Sequence, residues 1–125
     1  EKESSVPHVS FTNAELDNLI AGNDPIFVDM TASWCITCQV NERIAIYTDA
    51  TQDLFKQKNV QYVVGDWTNQ NPEITVYLNK YERNGVPLYV FYGARDATTG
   101  ARPEPKILPQ LLTSGLIADV INDEE

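Results

Sequence analysis

The sequence predicts an α/β sandwich around a mixed sheet, and three observations carry that prediction. Two β-rich apolar runs, residues 26–32 and 60–66, alternate with segments of helical periodicity. Helix caps can be read at Thr12, Asn71 and Thr113. The 125 residues suffice for one domain with one hydrophobic core.

The elements follow in order. Residues 1–9 read as an extended lead-in containing Pro7. Thr12 and Glu15 form a capping box with Phe11 ahead of the cap. Leu16, Leu19 and Ile20 then mark the inner face of a short helix that stops near Gly22-Asn23. A short strand before this helix fits the pattern. After the Asp24-Pro25 turn, the continuous apolar run 26–32 suits a central strand covered on both faces. Ile36, Val40, Ile44 and Tyr47 give the next segment helical spacing and a predicted apolar stripe. A break at Thr48-Asp49 starts a further helix over about 50–58, with Asn59 as its stop. Residues 60–66 form a second buried strand.

Asn71-Pro72-Glu73 places a cap, a first-turn proline and a dipole-compensating acid in sequence. Ile74, Tyr77, Leu78 and Tyr81 line that helix, and Gly85 marks its expected end. Leu88 to Tyr92 is an aromatic strand. Residues 93–105 make a long hairpin loop, closed by a short strand at 106–108. Thr113 caps a last helix, 114–122, whose Leu116, Ile117, Val120 and Ile121 face inward.

Composition excludes several functions. An apolar content of 42% with 10% aromatics is ordinary for a globular domain. No apolar stretch approaches the roughly 20 residues that span a bilayer, and Glu1-Lys2-Glu3-Ser4-Ser5 opens no signal peptide. The expectation is a cytoplasmic protein, a mature form or a domain of something larger. The formal charge of −9 argues against nucleic acid or an anionic membrane as partner. Asp119, Asp123, Glu124 and Glu125 read as a solvated acidic terminus.

The chain's two cysteines stand together in Cys35-Ile36-Thr37-Cys38, after Trp34 and between a strand and a helix. A bridge across two residues removes little chain entropy, so its value is chemical rather than structural. Cys35 is expected exposed at the first turn of its helix, where unpaired N–H groups and the dipole favour a thiolate. Cys38, on the same face but deeper, is the resolving thiol. A zinc site would need four ligands, and His8 is the only other obvious soft donor. No metal and no cofactor beyond the dithiol is therefore expected.

Phe27-Val28-Asp29, Trp34-Cys35-Ile36-Thr37-Cys38 and Gly85-Val86-Pro87 together resemble the thioredoxin fold and its redox site. The resemblance covers nearly the whole chain and implies a three-layer α/β/α sandwich with a central mixed sheet. Asp29 six residues before Cys35, and Glu42 four after Cys38, make the chain similar to the C-terminal periplasmic domain of DsbD-type transmembrane thiol:disulfide reductases. Residues 105–113 resemble the ScsB-like branch of that group.

These resemblances imply a protein-disulfide reductase, a single domain (1–125) of a larger bacterial inner-membrane protein. Electrons would arrive from an upstream transmembrane domain and leave to periplasmic partner disulfides. Asp29 would accept the Cys38 proton; the plain alternative is a hydrogen-bonded Asp at a strand end. Glu42 would approach the dithiol from the helix, unless it is an ordinary surface Glu. Two carboxylates near one dithiol oppose the helix dipole, so Cys35 is expected to titrate above the roughly 3.5–7.5 of a typical Cys-x-x-Cys nucleophile.

Val86-Pro87 is expected to be cis, leaving the amide and carbonyl of Val86 for an extended partner strand, rather than a trans turn. Trp34 would shield the thiols and offer an apolar contact, unless it packs in the core. Trp67, Tyr89 and Tyr92 read as packing residues. Unlike thioredoxin itself, the dipeptide between the cysteines is Ile-Thr, so no potential transfers. The competing readings are a free-standing thioredoxin-like reductase and a non-catalytic peptide-binding module, against which the intact cysteine pair counts.

Overall fold

The computed structural model describes residues 6–123. The opening segment 1–5 and the terminal Glu124 and Glu125 lie outside the described residues. The chain runs β1 (Val9–Ser10), α1 (Asn13–Ala21), β2 (Ile26–Thr31), α2 (Ile36–Asn41), a π-helical turn (Glu42–Ile46), α3 (Asp49–Lys58), β3 (Gln61–Asp66), α4 (Pro72–Lys80), β4 (Leu88–Tyr92), β5 (Lys106–Ile107) and α5 (Ser114–Asp123). The sheet order is β1-β3-β2-β4-β5. β1, β3 and β2 are parallel, while β4 runs antiparallel to β2 and β5 antiparallel to β4. No helix among the described residues is long and apolar enough to cross a membrane.

Alternation along the strands divides the core in two. Ile26, Val28 and Met30 of β2 join Val63, Leu88 and Val90 against α1 and α4. Phe27 joins Tyr62, Tyr89 and Phe91 against Ala45, Ile46, Phe55, Ile117 and Ile121. All six residues of β2 are buried, as a strand covered on both faces requires. The three-layer sandwich is therefore the observed architecture. Gly65 lets its layer close: a Cβ there would run into the Sδ of Met30 across the parallel pair.

The caps fall where the sequence places them. Thr12 accepts from the Glu15 amide at 3.0 Å, Asn71 from Glu73 at 2.8 Å, and Thr113 from Leu116 at 3.0 Å. Asn59 ends α3 in the left-handed region at φ 57°. The end of α4 differs from expectation. It stops at Lys80, with Glu82 in the left-handed conformation and Arg83 N bonding back to Leu78 O at 2.9 Å. Gly85 ends no helix; it lies against the Trp67 ring.

The dithiol helix differs more. The expected stripe Ile36–Val40–Ile44–Tyr47 is not the buried face: Ile36 is 79% exposed and Ile44 also lies outside. The inward residues are Cys38, Asn41, Glu42, Ala45 and Ile46. Helical regularity gives way to the π turn at Glu42, where Tyr47 N bonds to Glu42 O at 2.7 Å. Carbonyls freed there are taken up by side chains. Thr51 Oγ1 donates to Ala45 O at 2.5 Å, and Gln52 Nε2 to Ile46 O at 2.8 Å.

Loop 93–105 has a structural task. α1 carries no basic residue in its last turn. Two guanidiniums from the loop supply the missing donors: Arg102 Nη2 reaches Ile20 O (3.0 Å) and Gly22 O (2.7 Å), and Arg95 Nη2 reaches Ile20 O (2.8 Å). Positive charge at a helix C-terminus also complements the macrodipole. At the acidic end of the chain, Asp123 pairs with Lys106 at 3.3 Å, a surface ion pair of little energetic weight.

Candidate active site

β2 delivers the chain to the dithiol through Ala32, Ser33 and Trp34. Two bonds to one threonine hold this approach. Ser33 N donates to Thr68 Oγ1 at 2.8 Å, and Trp34 Nε1 to Thr68 O at 3.1 Å. Asp66 in turn accepts from the Thr68 amide at 3.0 Å. Trp34 is 53% exposed, its ring 6.1 Å from that of Trp67, so it is not a core residue.

Cys35 is the N-cap of α2 itself, one position ahead of the first turn where the sequence reading put it. Its Sγ accepts from the Cys38 amide at 3.1 Å, so a sulfur takes up one of the helix's orphan N–H groups. Cys35 and Cys38 form a disulfide, with Cα atoms 5.2 Å apart. Cys35 is only 7% exposed, where an exposed thiol was expected; Ala32, Val86 and Cys38 pack around it. It remains the outer sulfur, since Cys38 is wholly buried. The Val86–Pro87 bond is cis, as the thioredoxin resemblance implies.

The two carboxylates are both buried, neither at a strand end nor on the surface; Glu42 lies in the π turn that continues α2. Asp29 sits in mid-β2, without solvent contact. Tyr62 of β3 donates its hydroxyl to Asp29 Oδ2 at 2.7 Å, while the buried Oδ1 has no partner. Burial pushes the Asp29 carboxyl up to about 7; the Tyr62 hydrogen bond pulls it down, and the Glu42 charge pushes it up further. Glu42 Oε2 accepts from Thr31 Oγ1 at 3.0 Å. Glu42 borders a cleft of about 400 Å³ that Thr31, Gln39, Tyr47 and Asp66 also line.

Asn41 joins three elements. Its Nδ2 donates to Tyr89 OH (2.9 Å) and Gln110 O (2.7 Å), and its Oδ1 accepts from the Leu112 amide (3.0 Å). This amide fixes the dithiol helix to β4 and to the segment before α5. Asn41→Ala is expected to cost about 3 kcal/mol, because buried groups lose their partners. The urea midpoint at unchanged slope measures it. A loss below about 1 kcal/mol would mean that water replaces the amide.

Sequence reasoning named both cysteines, both carboxylates, Trp34, Val86 and Pro87; the structure packs Val86 with the cysteine pair and buries both carboxylates. It missed Tyr62, Asn41, Thr68 and Thr31, and it set Tyr89 aside as packing. A polar Asn between Cys38 and the apolar Ala45-Ile46 was the one available signal.

A disulfide at the head of a helix, with a cis-proline segment against it, defines a thiol–disulfide oxidoreductase domain. The chain belongs to the thioredoxin-like family, whose model matches residues 9–94. Among full-length relatives it is similar to the thiol:disulfide interchange protein DsbD of Klebsiella pneumoniae subsp. pneumoniae, 28% identical over 93 residues (70% of this chain, 15% of the relative). It is 27% identical over 108 residues to that of Yersinia pestis (81% of this chain, 18% of the relative). The chain thus spans less than a fifth of these curated relatives' length. The oxidised Neisseria meningitidis DsbD C-terminal domain superposes with a TM-score of 0.66 at 17% identity, covering 95% of this chain and all of that one. A Thermus thermophilus thioredoxin gives 0.68 at 14% identity, covering 93% and 85%.

Proposed function

We propose that this domain is the periplasmic terminal module of a bacterial inner-membrane thiol:disulfide reductase. It receives electrons from a transmembrane domain of the same protein and passes them to periplasmic protein disulfides. Similarity to DsbD over most of this chain, in a segment covering only part of those relatives, supports the larger setting. The observation that carries the chemistry is the pair of sulfurs at the head of α2, in a domain that also buries the Asp29 carboxyl.

In the reduced domain, the Cys35 thiolate attacks one sulfur of a partner disulfide. A Cys35–partner bond forms and the partner's other sulfur leaves as thiolate. Cys38 then loses its proton to Asp29 and attacks Cys35 Sγ. The Cys35–Cys38 bond forms and the second partner sulfur leaves with its electron pair. The partner disulfide gains two electrons and the domain dithiol loses two. Glu42 adds negative charge that holds the thiolate back in the free domain. Trp34, Val86 and Pro87 form the contact surface: Trp34 is half exposed, and Val86 packs against the cluster of Ala32 and the two cysteines. No cofactor beyond the cysteine pair enters.

Insulin reduction with dithiothreitol tests the reading. The domain should accelerate precipitation of the insulin B chain, and Cys35→Ser should reduce the rate to that of dithiothreitol alone. A wild-type domain that fails to accelerate it, with no change on Cys35→Ser, would instead identify a peptide-binding module.

A further inference from the structure

Tyr62 lies on the same face of the sheet as Asp29, since β2–β3 register sets Phe27 beside Tyr62 and Asp29 beside Val64. Its ring is held among aromatic neighbours, 6.0 Å from Phe27 and 5.6 Å from Phe55. The hydroxyl is carried into the buried interior and gives its hydrogen to Asp29 Oδ2 at 2.7 Å. The other carboxyl oxygen, Oδ1, is buried without a partner. One oxygen is therefore tied and one is left over. A half-turn of the carboxyl merely exchanges its two equivalent oxygens, and any smaller rotation would strand a buried phenol, so one oxygen stays tied and one stays over.

We propose that Tyr62 is a positioning residue for the resolving step: its hydroxyl fixes Oδ2 of Asp29 and leaves Oδ1 as the atom that takes the Cys38 proton. This rests on the reading of Asp29 as the base. The phenolic proton stays on Tyr62 throughout, because burial and the neighbouring Asp29 charge push that group far up. The proton that moves goes from Cys38 Sγ to Asp29 Oδ1. The sulfur's electron pair goes to Cys35 Sγ, and the partner sulfur leaves as thiolate. The titratable groups facing Asp29 are Tyr62 from β3, Glu42 from the π turn and Tyr89 from β4, with Tyr47 acting on both tyrosines.

Tyr62→Phe keeps the ring and removes only the O–H. A hydrogen bond to a charged acceptor is worth roughly one to two factors of ten in an equilibrium. Without it Asp29 keeps its proton to higher pH. The readout is the second phase of reaction between the reduced domain and dithiobis(nitrobenzoate), in which Cys38 expels the coloured thionitrobenzoate from Cys35. The acid limb of its rate–pH profile is expected to move up by about one pH unit or more in Tyr62→Phe. Near pH 6 that is a rate loss of about tenfold, recovered at alkaline pH. Carbon NMR of the Asp29 carboxyl in the disulfide form should show the same upward move, independent of turnover. In an Asp29→Asn background, Tyr62→Phe should change nothing further.

If Asp29→Asn leaves the acid limb in place, Asp29 is not the base and the reading beneath the proposal fails. If Asp29→Asn abolishes the limb while Tyr62→Phe leaves both the limb and the carboxyl titration where they are, the proposal alone is overturned. A purely structural tyrosine would lower stability and move neither.

Discussion

Cys38→Ser is expected to stop the reaction at the mixed disulfide. Cys38 is wholly buried and its oxidised partner is Cys35, and no other described residue offers a thiol. Serine fits the space but supplies no thiolate. The covalent partner would then be released only by external thiol. Well-oriented intramolecular groups act at effective concentrations of about 10⁵ M or more, against about 1 mM reductant in an insulin assay. Turnover should fall at least about a thousandfold. In place of precipitated B chain, a disulfide-linked adduct of the domain with insulin should accumulate, visible by non-reducing electrophoresis and mass spectrometry. Cys35→Ser should give no adduct, because the outer sulfur makes the first bond. A Cys38→Ser variant turning over within about tenfold of wild type would mean that resolution comes from outside the domain.

What local chemistry dictates could be read from the chain. The caps at Thr12, Asn71 and Thr113 satisfy donors within three residues, and all three appear as expected. The buried strand 26–31 and the dithiol between strand and helix are equally local. The failures share a cause. The Ile36–Ile44 stripe presumed an unbroken α-helix, but the π turn and the polar contacts of Asn41 and Glu42 turn another face inward. Asn41 looks unfit for burial until Gln110 and Leu112, far along the chain, are brought beside it. Tyr62 meets Asp29 only through the β2–β3 register, which no local pattern specifies. Cys35 is less exposed than a nucleophile at a helix start suggests, because Val86 comes against it from a distant segment.

Asp29 is a side chain the fold would be more stable without, and that sets the second prediction. Its carboxyl is raised from the ordinary 3.8 to about 7. The sign follows from proton counts: between these values the native state keeps a proton that the unfolded chain has lost, so stability falls as pH rises. Each pH unit in that window is worth about 1.4 kcal/mol, and the whole climb costs the native state about 4 kcal/mol. The loss begins near pH 4 and levels off above about pH 7. Asp29→Asn removes it. The variant should match wild type below about pH 4 and exceed it by up to about 4 kcal/mol at pH 8, while its resolving step slows. The comparison belongs on the disulfide form, where the sulfurs do not titrate. It also belongs in the difference between the two proteins, because self-repulsion in a chain of charge −9 makes any stability curve slope with pH. Urea midpoints from pH 4 to 8 decide it. Two curves that run parallel would mean that Asp29 ionises in the fold as readily as in the open chain, and its burial would then carry no proton for the dithiol. Curves that diverge above pH 4, with a variant more stable and slower, would mark a carboxyl held at energetic cost for the chemistry of Cys38.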